Sequence, residues 1–362
     1  MSKSCSMKGR QKLFLLHLNK ASSCCRAHPV DLDNQSIDYY LDLWQQESEL
    51  LDQGVELPGC DHCWQAEHSG QISYRQKMAD FDKNYVEIFV SNLCNQMCSY
   101  CSPKYSSTWQ DSIQQVGNFV NVSQSTKHNL SVTTQHAVQD FQIEQLKNLL
   151  SRGPIHLKLL GGEPLMQRHS LQQLLELNTD NVMLLDINTN LNPPNNKFLK
   201  WVLNTFPKDK LAFSISLDTV PEHNAVPRAG FDQSKFYENL NLLEKHDIEF
   251  KFMSVISVLN IFSVSNYQTW LSDRNYQGIF SRVSNPDFLD PCYLPQEFKQ
   301  QLIAESMPDV AQRVLAHCPE MVDLKQFEQY NYLSQYFQRT GTKITDHRLA
   351  AYWDWLQQKF KK

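Results

Sequence analysis

Short apolar runs alternate with amphipathic stretches through the middle of the chain. The apolar runs predict six buried β-strands, over residues 86–90, 156–160, 182–187, 211–217, 250–258 and 279–283. The amphipathic stretches predict helices over residues 141–150, 170–177, 197–204, 235–246 and 264–271. Buried strands that alternate with helices are typical of parallel β/α units with right-handed crossovers. Six such units predict an α/β fold, a partial (β/α)6 parallel barrel, rather than a closed barrel of eight strands.

The regions that flank this core have a different pattern. Residues 1–82 contain five of the ten cysteines and few periodic segments, which predicts a small cysteine-rich cluster module. Residues 83–290 form the predicted core barrel, and the aromatic-rich residues 291–362 predict a helical C-terminal segment. Within the core, residues 111–139 are rich in Gln, Ser, Thr and Asn and predict a long insertion or mobile loop.

The composition is that of an ordinary globular protein, with 362 residues, 41% hydrophobic and 20% charged, and a formal net charge of −5. No dense Lys/Arg block is present, so we expect no nucleic-acid partner. No apolar run approaches the ~18 residues of a membrane span, so we expect no membrane partner. The run at residues 13–18 is too short for a signal peptide and predicts a short strand. Ten cysteines, several of them in close pairs, indicate metal binding in a reducing cytoplasm.

Three cysteines follow the first predicted core strand in a C-x3-C-x2-C pattern, at Cys94, Cys98 and Cys101. Three thiolates can hold three irons of a 4Fe–4S cube and leave the fourth iron without a protein ligand. On spacing alone, a zinc site completed by a distant His or Cys is an equally good interpretation.

With Tyr100 inside it, the motif resembles the C-x3-C-x-aromatic-C signature of the radical S-adenosylmethionine (radical SAM) enzymes. The resemblance implies that Cys94, Cys98 and Cys101 hold a catalytic 4Fe–4S cluster and that Tyr100 contacts the adenine of SAM. It also implies that an electron from the reduced cluster, supplied by a reductase, ferredoxin or flavodoxin, cleaves SAM. The resulting 5′-deoxyadenosyl radical would abstract hydrogen from a substrate.

A second match to this family ends the second predicted core strand, where Gly161, Gly162, Glu163 and Pro164 form a GGEP segment. Glycines let a backbone approach a ligand closely, and the resemblance implies that Gly161, Gly162 and Glu163 bind the SAM ammonium. Weaker matches follow at the ends of later strands. The resemblance implies SAM contacts there for Asn190, Ser216 and Arg228, although an ordinary turn or cap, or a surface arginine, is the alternative for each.

A second group of cysteines lies upstream of the core. Cys60 and Cys63 form a C-x2-C pair, which on spacing alone slightly favours a structural zinc site. Segment 57–75 is instead similar to twitch-type radical SAM proteins, whose small module carries an auxiliary cluster. The similarity rests on the pair itself and on four later positions, Glu67, Gly70, Ser73 and Arg75. It implies a second, auxiliary 4Fe–4S cluster in this chain.

Five cysteines compete for at most four places on that cluster. We expect Cys60, Cys63 and one of the vicinal pair Cys24 and Cys25, with Cys5 or the other vicinal cysteine as the fourth ligand. An open iron would allow the second cluster to bind substrate, whereas a fully ligated one would relay electrons or brace the fold. The remaining two cysteines, Cys292 and Cys318, are expected to be buried structural thiols.

The resemblance implies a radical SAM enzyme whose substrate is a peptide or protein, by analogy at the level of the fold. A small molecule such as a nucleotide or sugar is the alternative substrate. Two other interpretations predict no such enzyme. One is a zinc-stabilised binding protein with two structural sites, and the other is an electron-transfer protein without SAM chemistry.

Overall fold

The computed structural model describes residues 4–32, 35–176, 180–305, 307–317 and 319–361, and its fold is mixed α/β. The chain divides into two compact units. Unit 1 comprises Met1–Ser91, Thr134–Asn188 and Lys197–Ala212. Unit 2 comprises Asn92–Thr133, Thr189–Asn196 and Phe213–Lys362.

Strands and helices are numbered here in chain order. The strands are β1 Gln11–Leu15, β2 Lys20–Ser22, β3 Val30–Asp31, β4 Tyr85–Phe89, β5 Met97–Cys98, β6 Ile155–Leu160, β7 Val182–Thr189, β8 Leu211–Ser216, β9 Arg228–Ala229, β10 Glu249–Ile256 and β11 Gly278–Arg282. The helices are α1 Ile37–Asp52, α2 Asp61–His68, α3 Tyr74–Lys77, α4 Ser107–Val116, α5 Gln124–Asn129, α6 Asp140–Leu150, α7 Arg168–Leu175, α8 Lys197–Thr205, α9 Gln233–Lys245, α10 Val264–Ser272, α11 Gln296–Ile303, α12 Asp309–Ala316, α13 Val322–Thr340 and α14 His347–Phe360.

Unit 1 is built on strands in the order β7-β6-β4-β1-β2-β3. Strand β4 pairs in parallel with both β1 and β6, and β6 pairs in parallel with β7. The two short strands β2 and β3 add antiparallel pairs at the edge. Val86 and Ile88 of β4 are fully buried, as are Leu157 and Leu159 of β6 to within 1%. This buried apolar face explains why the apolar runs in the sequence predicted buried strands.

The opposite face of these strands carries a row of buried and half-buried polar side chains. The register places Glu87 of β4 beside Lys158 of β6, and Lys158 beside Asp186 of β7. Lys158 and Asp186 form an ion pair of 3.4 Å, and Gln11 Nε2 donates to Glu87 Oε2 at 2.7 Å. Burial raises the pKa of Glu87 to about 7. The row therefore contains a carboxyl group that titrates near neutral pH.

Unit 2 contains the strand order β11-β10-β8, with β10 and β11 parallel. A separate two-stranded ribbon pairs β5 antiparallel to β9. One apolar cluster joins residues of β5, α4, β10 and the C-terminal helices, including the fully buried Trp109, Tyr332, Tyr336 and Tyr352. The helical C-terminal segment is thus part of the same core as the cysteine-bearing ribbon.

The structure confirms all six predicted strands, as β4, β6, β7, β8, β10 and β11, and the five predicted helices, as α6 to α10. Observed ends lie within two residues of the predicted ones, although Leu177 of the predicted 170–177 helix lies outside the described residues. The predicted strand at 13–18 is half right, because β1 ends at Leu15 and a 3-10 turn, Leu16–Leu18, follows. The partial barrel and the division into 1–82, 83–290 and 291–362 stay predictions.

The expectation of an insertion or mobile loop over residues 111–139 was wrong in part. Helix α4 continues to Val116, and Gln124–Asn129 forms a further helix, α5. A serine precedes each helix as its N-cap, Ser106 before α4 and Ser123 before α5, and its hydroxyl accepts a hydrogen bond from a backbone N–H of the first turn. These caps and the burial of Ile113 stabilise helices that weak periodicity did not indicate. No helix in the described part of the chain is long and apolar enough to cross a membrane.

The raised pKa of Glu87 predicts a pH dependence of stability. Between its ordinary value of 4.5 and about 7, the folded protein binds a proton that the unfolded chain releases, so stability falls as the pH rises through this window. We expect E87Q to lack this loss and to gain roughly 3 kcal/mol over the wild type between pH 4 and pH 8. Denaturant unfolding at both pH values measures the difference. The control is E144Q, at an exposed carboxylate on α6, and a constant difference between E87Q and the wild type would contradict the prediction.

Candidate functional site

The three cysteines of unit 2 lie on a loop that helix α4 holds in place. Cys94 and Cys101 are half-buried and Cys98 is buried. The carbonyl of Cys94 accepts hydrogen bonds from Ser107 Oγ at 3.1 Å and Thr108 Oγ1 at 2.6 Å. Trp109 Nε1 donates to the carbonyl of Cys98 at 2.9 Å. The first turn of α4 thus fixes the backbone of the loop at two of its three cysteines.

The ribbon of β5 and β9 brings a distant arginine to the loop. Its register pairs Cys98 with Arg228, and the backbone N–H of Ser99 donates to the carbonyl of Pro227 at 2.8 Å. The close approach requires a glycine after β9. A Cβ atom on Gly230, which has a φ of +94°, would lie 2.5 Å from the carbonyl oxygen of Asn95.

Two tyrosines of helix α13, in the C-terminal segment, form hydrogen bonds with the backbone of the same loop. Tyr332 donates its hydroxyl hydrogen to the carbonyl of Ser99. The hydroxyl of Tyr336 donates to the carbonyl of Met97 at 2.9 Å and accepts from the backbone N–H of Ala229 at 3.3 Å. Both rings are fully buried. The C-terminal segment, to which the sequence assigned no function, therefore positions the cysteines.

A buried ion pair lies against the ribbon. Arg228 Nε donates to Asp218 Oδ2 at 2.8 Å, Nη2 donates to Oδ1 at 3.3 Å, and Nη1 lies 3.6 Å from Cys98 Sγ. The hydroxyl of Tyr100 donates to Asp218 Oδ2 at 2.6 Å. Arg228 is 7% exposed and Asp218 is fully buried, so the interpretation of Arg228 as a surface arginine was wrong.

Burial and charge act in opposite directions on these groups. Burial raises the pKa of the Cys98 thiol, and the Arg228 cation opposes that rise. Burial raises the pKa of Cys101 to about 12. Burial also disfavours the charge of Arg228, but Asp218, Tyr100 and Cys98 hold its pKa above the ordinary value. The guanidinium is therefore a permanent positive charge beside a cysteine sulfur.

The other predicted SAM contacts in unit 2 lie at the ends of strands. Asn190 donates through Nδ2 to Asn95 Oδ1 at 3.0 Å and accepts the backbone N–H of Asn192 at 2.8 Å. Asn190 therefore holds Asn95 of the cysteine loop within unit 2. Ser216 is half-buried at the last position of β8.

The GGEP turn of unit 1 follows β6. Gly161 has a φ of +139°, and a Cβ atom on it would lie 2.9 Å from Gln167 Nε2 and 3.2 Å from the carbonyl oxygen of Ser91. The backbone N–H of Gly162 donates to that same carbonyl at 3.0 Å. Glu163 is fully buried and accepts the backbone N–H of Leu165 at 3.0 Å. The backbone conformation and the close neighbours therefore require glycine at Gly161, the first of the four GGEP positions.

Four of the five upstream cysteines in unit 1 line one cavity. Its lining includes Cys5, Cys24, Cys60 and Cys63, together with Trp64. Cys25 is not among the lining residues. It is exposed, and its backbone N–H donates to Gln11 Oε1 at 3.2 Å. A hydrogen bond between the vicinal thiols lowers the pKa of Cys25 to about 6 and raises that of Cys24.

The same cavity is rich in positive charge. Lys8, Arg26 and Arg75 line it, and Lys8 Nζ lies 3.9 Å from Cys60 Sγ and 2.8 Å from Glu47 Oε2. Lys8 is only 3% exposed. Burial raises the pKa of the Cys60 thiol, and the Lys8 cation opposes that rise.

Three of the four positions that carry the twitch similarity form a network beside this cavity. Arg75 pairs with Glu67 and stacks 4.7 Å from the ring of Trp64. Ser73 Oγ donates to Glu67 Oε1 at 2.5 Å and caps α3. The fourth position, Gly70, follows α2 with a φ of +76°. Arg75 of this network lines the cavity.

The residues present fit iron–sulfur clusters in their donor chemistry. Within the described residues, Gln96 Nε2 and Ser99 Oγ in the cysteine loop are buried without a hydrogen-bond partner. Such donors suit the sulfur atoms of a cluster bound in that loop. Across the same part of the chain, no three His, Cys, Asp or Glu side chains converge as the ligands of a single metal ion do.

Two cysteines remain. Cys292 is 1% exposed, as expected for a buried structural thiol, and Arg282 Nη2 lies 3.6 Å from its Sγ. Cys318 lies outside the described residues.

Sequence reasoning missed Asp218, Tyr332 and Tyr336. Asp218 ends the segment that follows β8, and a carboxylate at the carboxyl end of a core strand, ten residues before an arginine, was the available signal. No comparable signal existed for Tyr332 and Tyr336, because the spacing of residues along a helix does not show which part of the fold that helix packs against.

No protein-family model and no curated protein sequence matches the chain. Among solved structures, it is similar to anSMEcpe with bound AdoMet and Kp18Cys peptide, at 18% identity and a TM-score of 0.41, over 56% of this chain and 52% of that one. It is also similar to Streptococcus suis SuiB bound to S-adenosylmethionine, at 12% identity and a TM-score of 0.41, over 90% and 69%. The chain thus spans about half the length of anSMEcpe. At TM-scores this low, these likenesses assign no function to the chain.

Removing the Tyr336 hydroxyl tests how the cysteine loop is held. We expect Y336F to lose about 1–3 kcal/mol of stability, because a buried carbonyl and a buried N–H lose their partner. If the loop holds an iron–sulfur cluster, protein reconstituted with iron and sulfide should also lose iron to a chelator faster in Y336F than in the wild type. The matched control is Y352F, whose buried hydroxyl donates to Gln329 on α13 and not to the loop. Equal chelation rates for the two variants would contradict the bracing role.

Proposed function

We propose that the chain is a radical SAM enzyme whose catalytic 4Fe–4S cluster is held by Cys94, Cys98 and Cys101. The observation that carries the proposal is the cysteine loop itself. Its backbone is fixed by α4 and α13 while its own buried donors, Gln96 Nε2 and Ser99 Oγ, lack partners among the described residues. When bound and reduced, the cluster supplies the electron that cleaves SAM.

The chain's own residues bind and orient SAM in this proposal. Tyr100 is half-buried, so that its ring can contact adenine while Asp218 anchors its hydroxyl. In unit 1, the backbone of Gly161 and Gly162 and the carboxylate of Glu163 are the proposed acceptors for the SAM ammonium. The remaining proposed contacts are Asn190, Ser216 and Arg228. Burial of Cys98 excludes water from at least one thiolate.

The proposed second cluster lies in unit 1. Cys5, Cys24, Cys60 and Cys63 line its cavity, and a full set of four thiolates leaves no open iron. A fully ligated cluster relays electrons or braces the fold and does not bind substrate. Cys25, which is exposed, is not a ligand in this proposal.

We take the substrate to be a peptide or protein, and the electron donor to be a reductase, ferredoxin or flavodoxin. Deuterated peptide and metabolite pools test the substrate class. Deuterium should appear in 5′-deoxyadenosine with the peptide pool, and transfer only from the metabolite pool would assign a nucleotide, sugar or similar small molecule.

The central test is anaerobic reconstitution with iron and sulfide, followed by reduction with dithionite and incubation with SAM. We expect an iron–sulfur charge-transfer band and 5′-deoxyadenosine from the wild type. The C94A/C98A/C101A variant should form no 5′-deoxyadenosine and should keep only the part of the band that comes from the second cluster. A colourless protein with stoichiometric zinc would instead support the zinc-stabilised binding protein. A cluster that produces no 5′-deoxyadenosine would support an electron-transfer protein.

The ligand set of the second cluster is tested in the C94A/C98A/C101A background. About four irons should remain there, and a further C25S change should keep them because Cys25 lies outside the cavity lining. C24S at the neighbouring position is the matched comparison and should lose them. Loss of iron in C25S with retention in C24S would reverse the assignment, and no iron in the triple variant would exclude a second cluster.

A further inference from the structure

The Asp218–Arg228 pair points its positive charge at a cysteine of the proposed catalytic cluster. Asp218 occupies Nε and Nη2 of Arg228, which leaves Nη1 directed at Cys98 Sγ at 3.6 Å. The ribbon register fixes this approach, because Cys98 and Arg228 are direct partners across it.

Asp218 is itself held so that the guanidinium has little freedom. Its Oδ1 accepts the backbone N–H of Val255 at 2.9 Å, and its own N–H donates to Asn224 Oδ1 at 3.0 Å. Asn260 Nδ2 donates to its carbonyl at 2.7 Å. Asp218 is fully buried. The pair is therefore a preorganised dipole whose positive end faces sulfur.

Reduction by one electron adds negative charge to a cluster and its thiolates. A hydrogen-bonded cation at one sulfur stabilises the reduced state more than the oxidised state, and the effect is larger in a site with little water. We propose that Arg228, aimed by Asp218, is a positioning and tuning residue that raises the midpoint potential of the cluster at Cys98. This inference rests on the proposed function and gives Arg228 a role other than contact with the SAM carboxylate.

The test is an EPR-monitored redox titration of the reconstituted full chain with dithionite, without SAM. The signal that changes when SAM is added afterwards identifies the cluster with the open iron. R228Q should titrate at a more negative potential. At a fixed applied potential its ratio of reduced to oxidised cluster should drop tenfold or more, which corresponds to about 59 mV for one electron. Wild-type iron content with a wild-type or less negative potential overturns the proposal.

The chain offers a matched control for the loss of one arginine. In the same unit, Arg282 pairs with Asp290 and places Nη2 3.6 Å from the sulfur of Cys292, which is not a proposed ligand. R282Q should titrate at the wild-type potential. A shift as large as that of R228Q would show that loss of any positive charge suffices, and would overturn the specific role.

R228Q leaves a buried unpaired carboxylate and can therefore fail to fold. D218N/R228Q removes both charges and is the second variant. It should shift the potential in the same direction as R228Q but by a smaller amount, because the negative charge of Asp218 is removed together with the positive charge of Arg228. No shift in it, or loss of the cluster from both variants while R282Q keeps it, overturns the proposal.

SAM binding separates the two roles of Arg228. If the arginine only binds the SAM carboxylate, R228Q weakens SAM affinity at an unchanged potential, which contradicts our inference. Failure of the proposed function gives a different result. The wild type would then form no cluster, or would form a cluster whose EPR signal does not change when SAM is added.

Discussion

The buried ion pair between Arg228 and Asp218 is the interaction on which the cysteine loop depends. It satisfies the charge of an arginine that the ribbon forces against Cys98, and it anchors the hydroxyl of Tyr100. An unpaired charge at such a position would cost several kcal/mol. Three further hydrogen bonds, to Val255, Asn224 and Asn260, hold Asp218 in place. Asp218 in turn fixes the position of Arg228 beside the Cys98 sulfur.

The two cysteine groups share a physical design, although they lie in different units. Each places one buried cation near one thiol, Arg228 at Cys98 and Lys8 at Cys60. Each cation is held by a carboxylate, Asp218 or Glu47. A fixed positive charge beside sulfur favours the thiolate that an iron–sulfur cluster requires. The shared design supports the proposal that both groups are cluster sites.

Much of the fold could be read from periodicity, because buried strands and amphipathic helices impose their patterns locally. The six core strands and five helices follow from runs of apolar residues. The parallel pairing of β1 with β4 does not, since Gln11 and Tyr85 meet only through the tertiary fold. Helix α5 was missed for a related reason, because six residues carry too little periodicity and its serine cap is a weak signal.

The candidate site divides in the same way. The sequence by itself determined the candidate donors, because the spacing of Cys94, Cys98 and Cys101 and the GGEP segment are local features of the chain. Only the tertiary structure decided which residues surround those donors. It brought Arg228, Asp218, Tyr332 and Tyr336 to one loop across more than a hundred positions. It also distinguished Cys24 from Cys25, since Cys24 lines the cavity whereas Cys25 is exposed and is not among the lining residues. Burial and charge are properties of packing, and no spacing along a chain encodes them.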